Sequence, residues 1–247
     1  MLTEIQIQKN WDDLLDIIKN HCDGDNRWSK LLTFYNKNEN RLGLAPASGK
    51  KMYHSCFVGG WCSHTLNVYH AAFKLKDLWN EMGAIQDFTD EELAFVALQH
   101  DLGKLGTEQE EHYILQEDAW RKKNLGEIYV KNPNISFMKD ADRSLQLLQQ
   151  IGVEVSEVEW LSIKLHAGLY EESNRSYLIA YSDDYKLRTN LPHILHQADL
   201  ISTNIESQLD KVVKPSAKPS LKEVFKDEPK VVVVPKKSKP SLLDKYK

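Results

Sequence analysis

Apolar side chains recur three and four residues apart along most of the first 210 positions of this chain, and polar or glycine-rich breaks divide the pattern into helices. In residues 3 to 20, TEIQIQKNWDDLLDIIKN, the residues Ile7, Trp11, Leu14, Leu15 and Ile18 share one face. RWSKLLTFYNKN fits a second, short helix. Residues 43 to 60, GLAPASGKKMYHSCFVGG, carry the Gly, Pro and Ser content of an ordered loop. Helix resumes in SHTLNVYHAAFKLKDLW, where Ser63 is placed to cap the start and His64, Val68, Ala71, Leu75 and Leu78 form one stripe. TDEELAFVALQHD opens with a capping box, Thr89 with Glu92, and sets Leu93, Val96, Ala97 and His100 at helical spacing. His64 and His100 are therefore both expected to face the core.

The pattern changes over residues 112 to 131, where HYILQEDAW, the turn KKNLG and EIYVKN read as a two-stranded hairpin. Helices return at DADRSLQLLQQIG, at SEVEWLSIKLHAG with a second capping box, Ser156 with Glu159, and at LPHILHQADLISTNIESQL with Pro192 near its first turn. The expected fold is all-α, a helical bundle with a small β-hairpin excursion. Residues 1–41 form a helical extension packing on the core, and 42–210 form the main domain. Residues 211–247 are rich in Lys and Pro, repeat KPSL, and bury too little apolar surface to offset their ordering entropy, which predicts a disordered tail.

Charge sharpens this division. The chain of 247 residues has a formal net charge of -4, but the tail holds 11 lysines against 4 acidic residues, leaving 21 basic and 32 acidic residues elsewhere. An acidic body argues against binding long duplex nucleic acid, which needs a basic face. The basic tail is open to three readings: a tether to nucleic acid, a docking segment for a protein partner, or a solvated tail. Cys22, Cys56 and Cys62 have no paired spacing and the N-terminus lacks the pattern of a signal peptide, which points to a reduced, cytoplasmic protein. The longest aliphatic run is VVVV, far short of the roughly 20 residues that span a bilayer, so no membrane role is expected.

Several ligand-type side chains end or begin helices on inner faces: His64, His100 with Asp101, His166, and Asp199. Imidazole nitrogens with carboxylate oxygens suit a divalent Mn, Fe, Co, Ni, Zn or Mg ion. A single histidine on an apolar face is more often a hydrogen-bonded core residue. Asp101 is different, because a carboxylate buried beside His100 and just before Gly103 is costly without a cation or several donors.

The segments GGWCSHTLNVYH, LQHDLGK and HQADLIS resemble the HD-domain superfamily of metal-dependent phosphohydrolases, whose pattern is a His, a His-Asp doublet and a distant Asp. The similarity extends to a branch common in phages and bacteria through APASGKKMYH, AWRKKNLGEIY, RSLQLL and HAG, and covers roughly residues 42 to 205. The resemblance implies His64, His100, Asp101 and Asp199 as metal ligands for one ion. It implies His54 and Lys104 as substrate contacts, and Asp101, Lys104 and His166 as the residues of the chemistry. Related sequences carry a His where this chain has Asp140, which leaves a second ion, with Asp140 and His166 as its candidate ligands, open. His166 is equally a candidate for holding the departing phosphate oxygen. His196, three residues before Asp199, is read as orienting that carboxylate. His21, His70, His112 and His193 are assigned to polar faces or loops. The implied reaction is hydrolysis of a phosphomonoester or phosphodiester of a nucleotide or short oligonucleotide, in the cytoplasm of a host cell if the source is a phage. A silent binding or regulatory module, its tail docking a partner, is the alternative; an oxygenase, known among two-iron relatives, is disfavoured by Asp140.

Overall fold

Side-chain oxygens start several helices of this protein where the sequence asks for them. The structure, a computed structural model, describes residues 2–24, 26–179 and 181–212; the remainder of the tail expected at 211–247 lies outside them. Helix α1 (Glu4–Asn20) is capped by Thr3 and α2 (Arg27–Lys37) by Asn26. After the short α3 (Glu39–Leu42) and the loop come α4 (Gly60–Glu81) and α5 (Asp90–Gln99). Both expected capping boxes form, Thr89 with Glu92 at α5 and Ser156 with Glu159 at α8 (Glu157–Leu165). Between those two lie α6 (Ala119–Leu125) and α7 (Asp140–Gln150), and α9 (Arg175–Leu178) and α10 (Leu191–Val212) follow. The fold is mostly helical, with a single two-stranded sheet among the described residues.

Every residue of α5 from Leu93 to Gln99 is buried, and all but Gln99 are apolar, so α5 is the central helix. Trp11, Leu14 and Ile18 of α1, Trp28 and Leu31 of α2, Trp61 and Val68 of α4, Leu147 and Leu148 of α7, Ile163 of α8 and Leu195 of α10 join it in one core cluster. The expected N-terminal extension thus supplies core residues, and Met1–Lys211 form one compact unit.

Three local expectations are corrected. Ser63 does not cap α4: the helix starts at Gly60, behind Gly59 at φ 80°, and the loop carbonyl of Ala45 accepts the Trp61 amide. A loop backbone thereby satisfies a helix end that a side chain was expected to serve. Leu78 is exposed, because the inner stripe of α4 runs through His64, Val68 and Ala72 and does not extend to the helix end. The hairpin pairs β1 (Tyr113–Leu115) antiparallel with β2 (Tyr129–Lys131), but KKNLG is no turn. It ends α6, which Asp118 caps at one end and Gly126, at φ 63°, closes at the other.

Gly103 explains how the central helix ends. A Cβ there would lie 2.2 Å from the Asp140 carbonyl oxygen, so only glycine lets the 3-10 turn Leu102–Leu105 pack against α7. The Gly103 amide donates to Ser144 Oγ at 2.8 Å, and Ser144 donates towards the carbonyls of His100 and Asp140. This clamp fixes the His100-Asp101 step.

Candidate metal centre

Four helices bring the sequence candidates together: His64 from α4, His100 and Asp101 from the end of α5, His166 from the end of α8, and Asp199 from α10. His64 Nε2 lies 3.2 Å from Asp199 Oδ1 and 3.7 Å from Asp101 Oδ2; His100 Nε2 lies 3.5 Å from Asp101 Oδ2, and His166 Nε2 3.6 Å from Asp101 Oδ1. Asp101 is thus the hub.

The outer nitrogen of each imidazole is committed. His100 Nδ1 donates to the Ala97 carbonyl at 2.9 Å and His166 Nδ1 to the Ile163 carbonyl at 2.7 Å, while His64 Nδ1 sits 3.1 Å from both oxygens of Glu206. A carbonyl or carboxylate only accepts, so Nδ1 carries a proton in each ring and Nε2 is the nitrogen turned inward. His100 Nε2 is fully buried with no hydrogen-bond partner, and His64 Nε2, equally buried, faces Asp199 Oδ1 at 3.2 Å. Two inward imidazole nitrogens beside two carboxylates form a donor set that fits a divalent cation, and His64, His100 and Asp101 offer ligand atoms within 4.8 Å of one another.

The electrostatics favour positive charge at this point. Burial opposes ionisation of Asp101, but the Lys104 ammonium and three imidazoles outweigh it and hold the carboxyl well below its usual range. Asp199 is likewise shifted down against burial, chiefly by His64. Burial alone would make His64 a weaker base, yet Asp199 and Glu206 raise it to about 10, so without an ion Nε2 also holds a proton towards Asp199, which a bound cation would replace. His100, with less carboxylate near it, is driven down to about 4 by burial and keeps its lone pair free.

Lys104 Nζ bonds Asp101 Oδ2 at 2.6 Å and is itself buried, so the expected phosphate contact also neutralises the hub. A cavity of about 280 Å³ opens on the cluster, lined by His54, Asp101, Lys104, Lys131, Phe137, Asp140, Lys164, His166 and Asp199 among others. His54 packs against His64 with ring centroids 4.4 Å apart and planes tilted by 43°, and burial lowers it to about 3. A larger recess of about 560 Å³ beside Trp160 is lined by no histidine or cysteine and is remote in character from this chemistry. His196 directs Nδ1 to the His166 carbonyl at 2.8 Å, so it steadies the end of α8, where the sequence paired it with Asp199.

Two residues escaped the sequence reading. His112, assigned to a polar face or loop, is buried, with Nε2 3.7 Å from Asp140 Oδ1 and both ring nitrogens without hydrogen bonds. Its position at the base of β1 inside a polar stretch gives no periodic signal. Glu206 belongs to no motif that singles it out, although it lies seven residues beyond Asp199 and hence on the same helix face. Comparison with protein-family models, curated proteins and solved structures finds no match to this chain. Among the described residues no helix is long and apolar enough to cross a membrane.

Proposed function

We propose that this chain is a metal-dependent phosphohydrolase that cleaves a phosphomonoester or phosphodiester of a nucleotide or short oligonucleotide. The observation that carries the reading is the convergence of two buried, inward imidazole nitrogens on Asp101 and Asp199 at the foot of a cavity that also holds a buried lysine. The HD-like order of these residues along the chain supports it. His64, His100, Asp101 and Asp199 would hold one divalent ion. When bound, such an ion supplies Lewis-acid activation of water and screens charge building on phosphorus.

The remaining work falls to the chain itself. Lys104 offers a fixed ammonium inside the cavity to a phosphate oxygen and holds the orientation of Asp101. His166, with Nδ1 bonded to Ile163, presents a bare Nε2 to the cavity and suits the acceptance of a proton from attacking water better than donation to a leaving group. Neutralising the departing oxygen then belongs to Lys104. His54 borders the same space as a neutral contact for substrate.

Metal content of the purified protein, followed by assay with Mn2+ against a panel of phosphomonoesters, nucleotides and dinucleotides, tests the reading. The expected result is bound metal and turnover of at least one nucleotide class, both lost in Asp101→Ala. Bound metal without turnover overturns the hydrolase in favour of a binding module; full metal content and activity in Asp101→Ala overturns the site.

A further inference from the structure

His64 differs from its neighbours in one respect. His100 and His166 give their Nδ1 protons to backbone carbonyls, whereas His64 gives its proton to the side chain of Glu206. Asp199 and Glu206 stand on one face of α10 and take the two ring nitrogens of His64 between them, at 3.2 Å and 3.1 Å. Glu206 is only 7% exposed and does not line the cavity.

Its other contacts show how firmly it is held. Asn67, one turn beyond His64 on α4, donates Nδ2 to Glu206 at 2.8 Å, and Ser55 donates Oγ at 2.8 Å. Ser55 has φ 48°, the sole left-handed backbone among described residues other than glycine. Such conformations cost energy and persist only where surrounding contacts over-determine them. Gly60 makes room for this one, since a Cβ there would lie 2.0 Å from the Ser55 carbonyl oxygen. Loop, α4 and α10 are therefore joined at this carboxylate.

We propose that Glu206 is a positioning residue that keeps a proton on Nδ1 of His64, makes Nε2, the nitrogen facing Asp101 and Asp199, the one that ligates, and so sets the protein's affinity for its divalent ion. This inference rests on the metal-site reading above. His54, His64 and Glu206 also approach one another closely enough to hold an ion. An ion there would have to displace the His64 Nδ1 proton and compete with Asn67 and Ser55 for the same carboxylate, whereas His64 and His100 turn their Nε2 atoms to the Asp101 side. One His64 serves one ion, and the geometry gives it to Asp101.

Calorimetric titration of the metal-stripped full chain with Mn2+ tests this directly. Glu206→Gln keeps the size of the side chain but removes its charge, and is expected to weaken binding by about 10–100-fold, the usual cost of losing the outer partner of a ligating histidine. Equal affinity in folded Glu206→Gln overturns the inference while leaving the metal site standing; a wild-type chain that takes up no Mn2+ overturns both. A purely structural Glu206 would lower the stability of the metal-free protein and leave the affinity unchanged. Nitrogen NMR of the zinc-loaded wild type needs no variant: retention of Nδ1–H with ligation through Nε2 is expected at His64, and ligation through Nδ1 overturns the proposal.

Discussion

Lys104 couples the two sides of the cavity. Its buried ammonium faces Asp101 directly and is held in its charged form, against the effect of burial, by Asp101 and Asp140. Replacing it by Met removes the ammonium that Asp101 bonds and leaves that buried carboxylate with only imidazoles around it, so Lys104→Met is expected to cost about 3–5 kcal/mol in urea denaturation of the metal-free protein. If the ammonium also neutralises the departing oxygen, kcat falls by about 10²–10³-fold in the same variant. His112 makes a separate prediction. Burial lowers it to about 4, with Asp140 opposing only in part. The unfolded chain takes up the proton near pH 6.5 and the folded chain only near 4, so stability is full above 6.5 and falls as pH drops towards 4. Relative to His112→Gln, the wild type is expected to lose about 2 kcal/mol between pH 7 and pH 5, read by urea denaturation at both values.

Helix ends were the most legible elements. Thr89 and Ser156 each accept the amide three residues on, while Glu92 and Glu159 return the bond to the cap backbone. These contacts are local and depend on four adjacent residues, so sequence spacing suffices to find them. Thr89→Ala and Ser156→Ala are each expected to destabilise the fold by about 1 kcal/mol in equilibrium unfolding. The boxes begin α5 and α8, whose far ends carry His100 and His166, and both variants should leave the metal affinity of the folded protein unchanged. The start of α4 was misread for the opposite reason. Its first amides are satisfied by backbone carbonyls, that of Trp61 by Ala45 sixteen residues upstream and those of Gly60 and Ser63 by Phe57 and the left-handed Gly59, which a side-chain cap pattern does not reveal.

At the scale of the whole molecule, the site is a meeting of α4, α5, α8 and α10, with no two of its histidines on one helix. An ion bound there therefore ties distant segments together and stabilises the fold by linkage. Mn2+ at one hundred times its dissociation constant adds about 2.7 kcal/mol. For a domain of this size that raises Tm by about 5–10 °C. Differential scanning calorimetry should record this rise for the wild type and none for Asp101→Asn. A rise of equal size in Asp101→Asn would mean that Mn2+ acts elsewhere.

Sequence alone determined the helical character of the chain, the inward faces of His64 and His100, the two capping boxes and the set of residues that the HD-like pattern singles out, because each depends on spacing within one segment or on order along the chain. Tertiary structure alone decided the rest. The bond from Glu206 to His64 spans 142 residues, and that from Ser144 to Gly103 spans 41. Burial of His112 against Asp140 and the turn of His196 toward His166 likewise depend on which segments pack together. Periodicity tells which way a side chain leaves its helix; only packing tells what it meets.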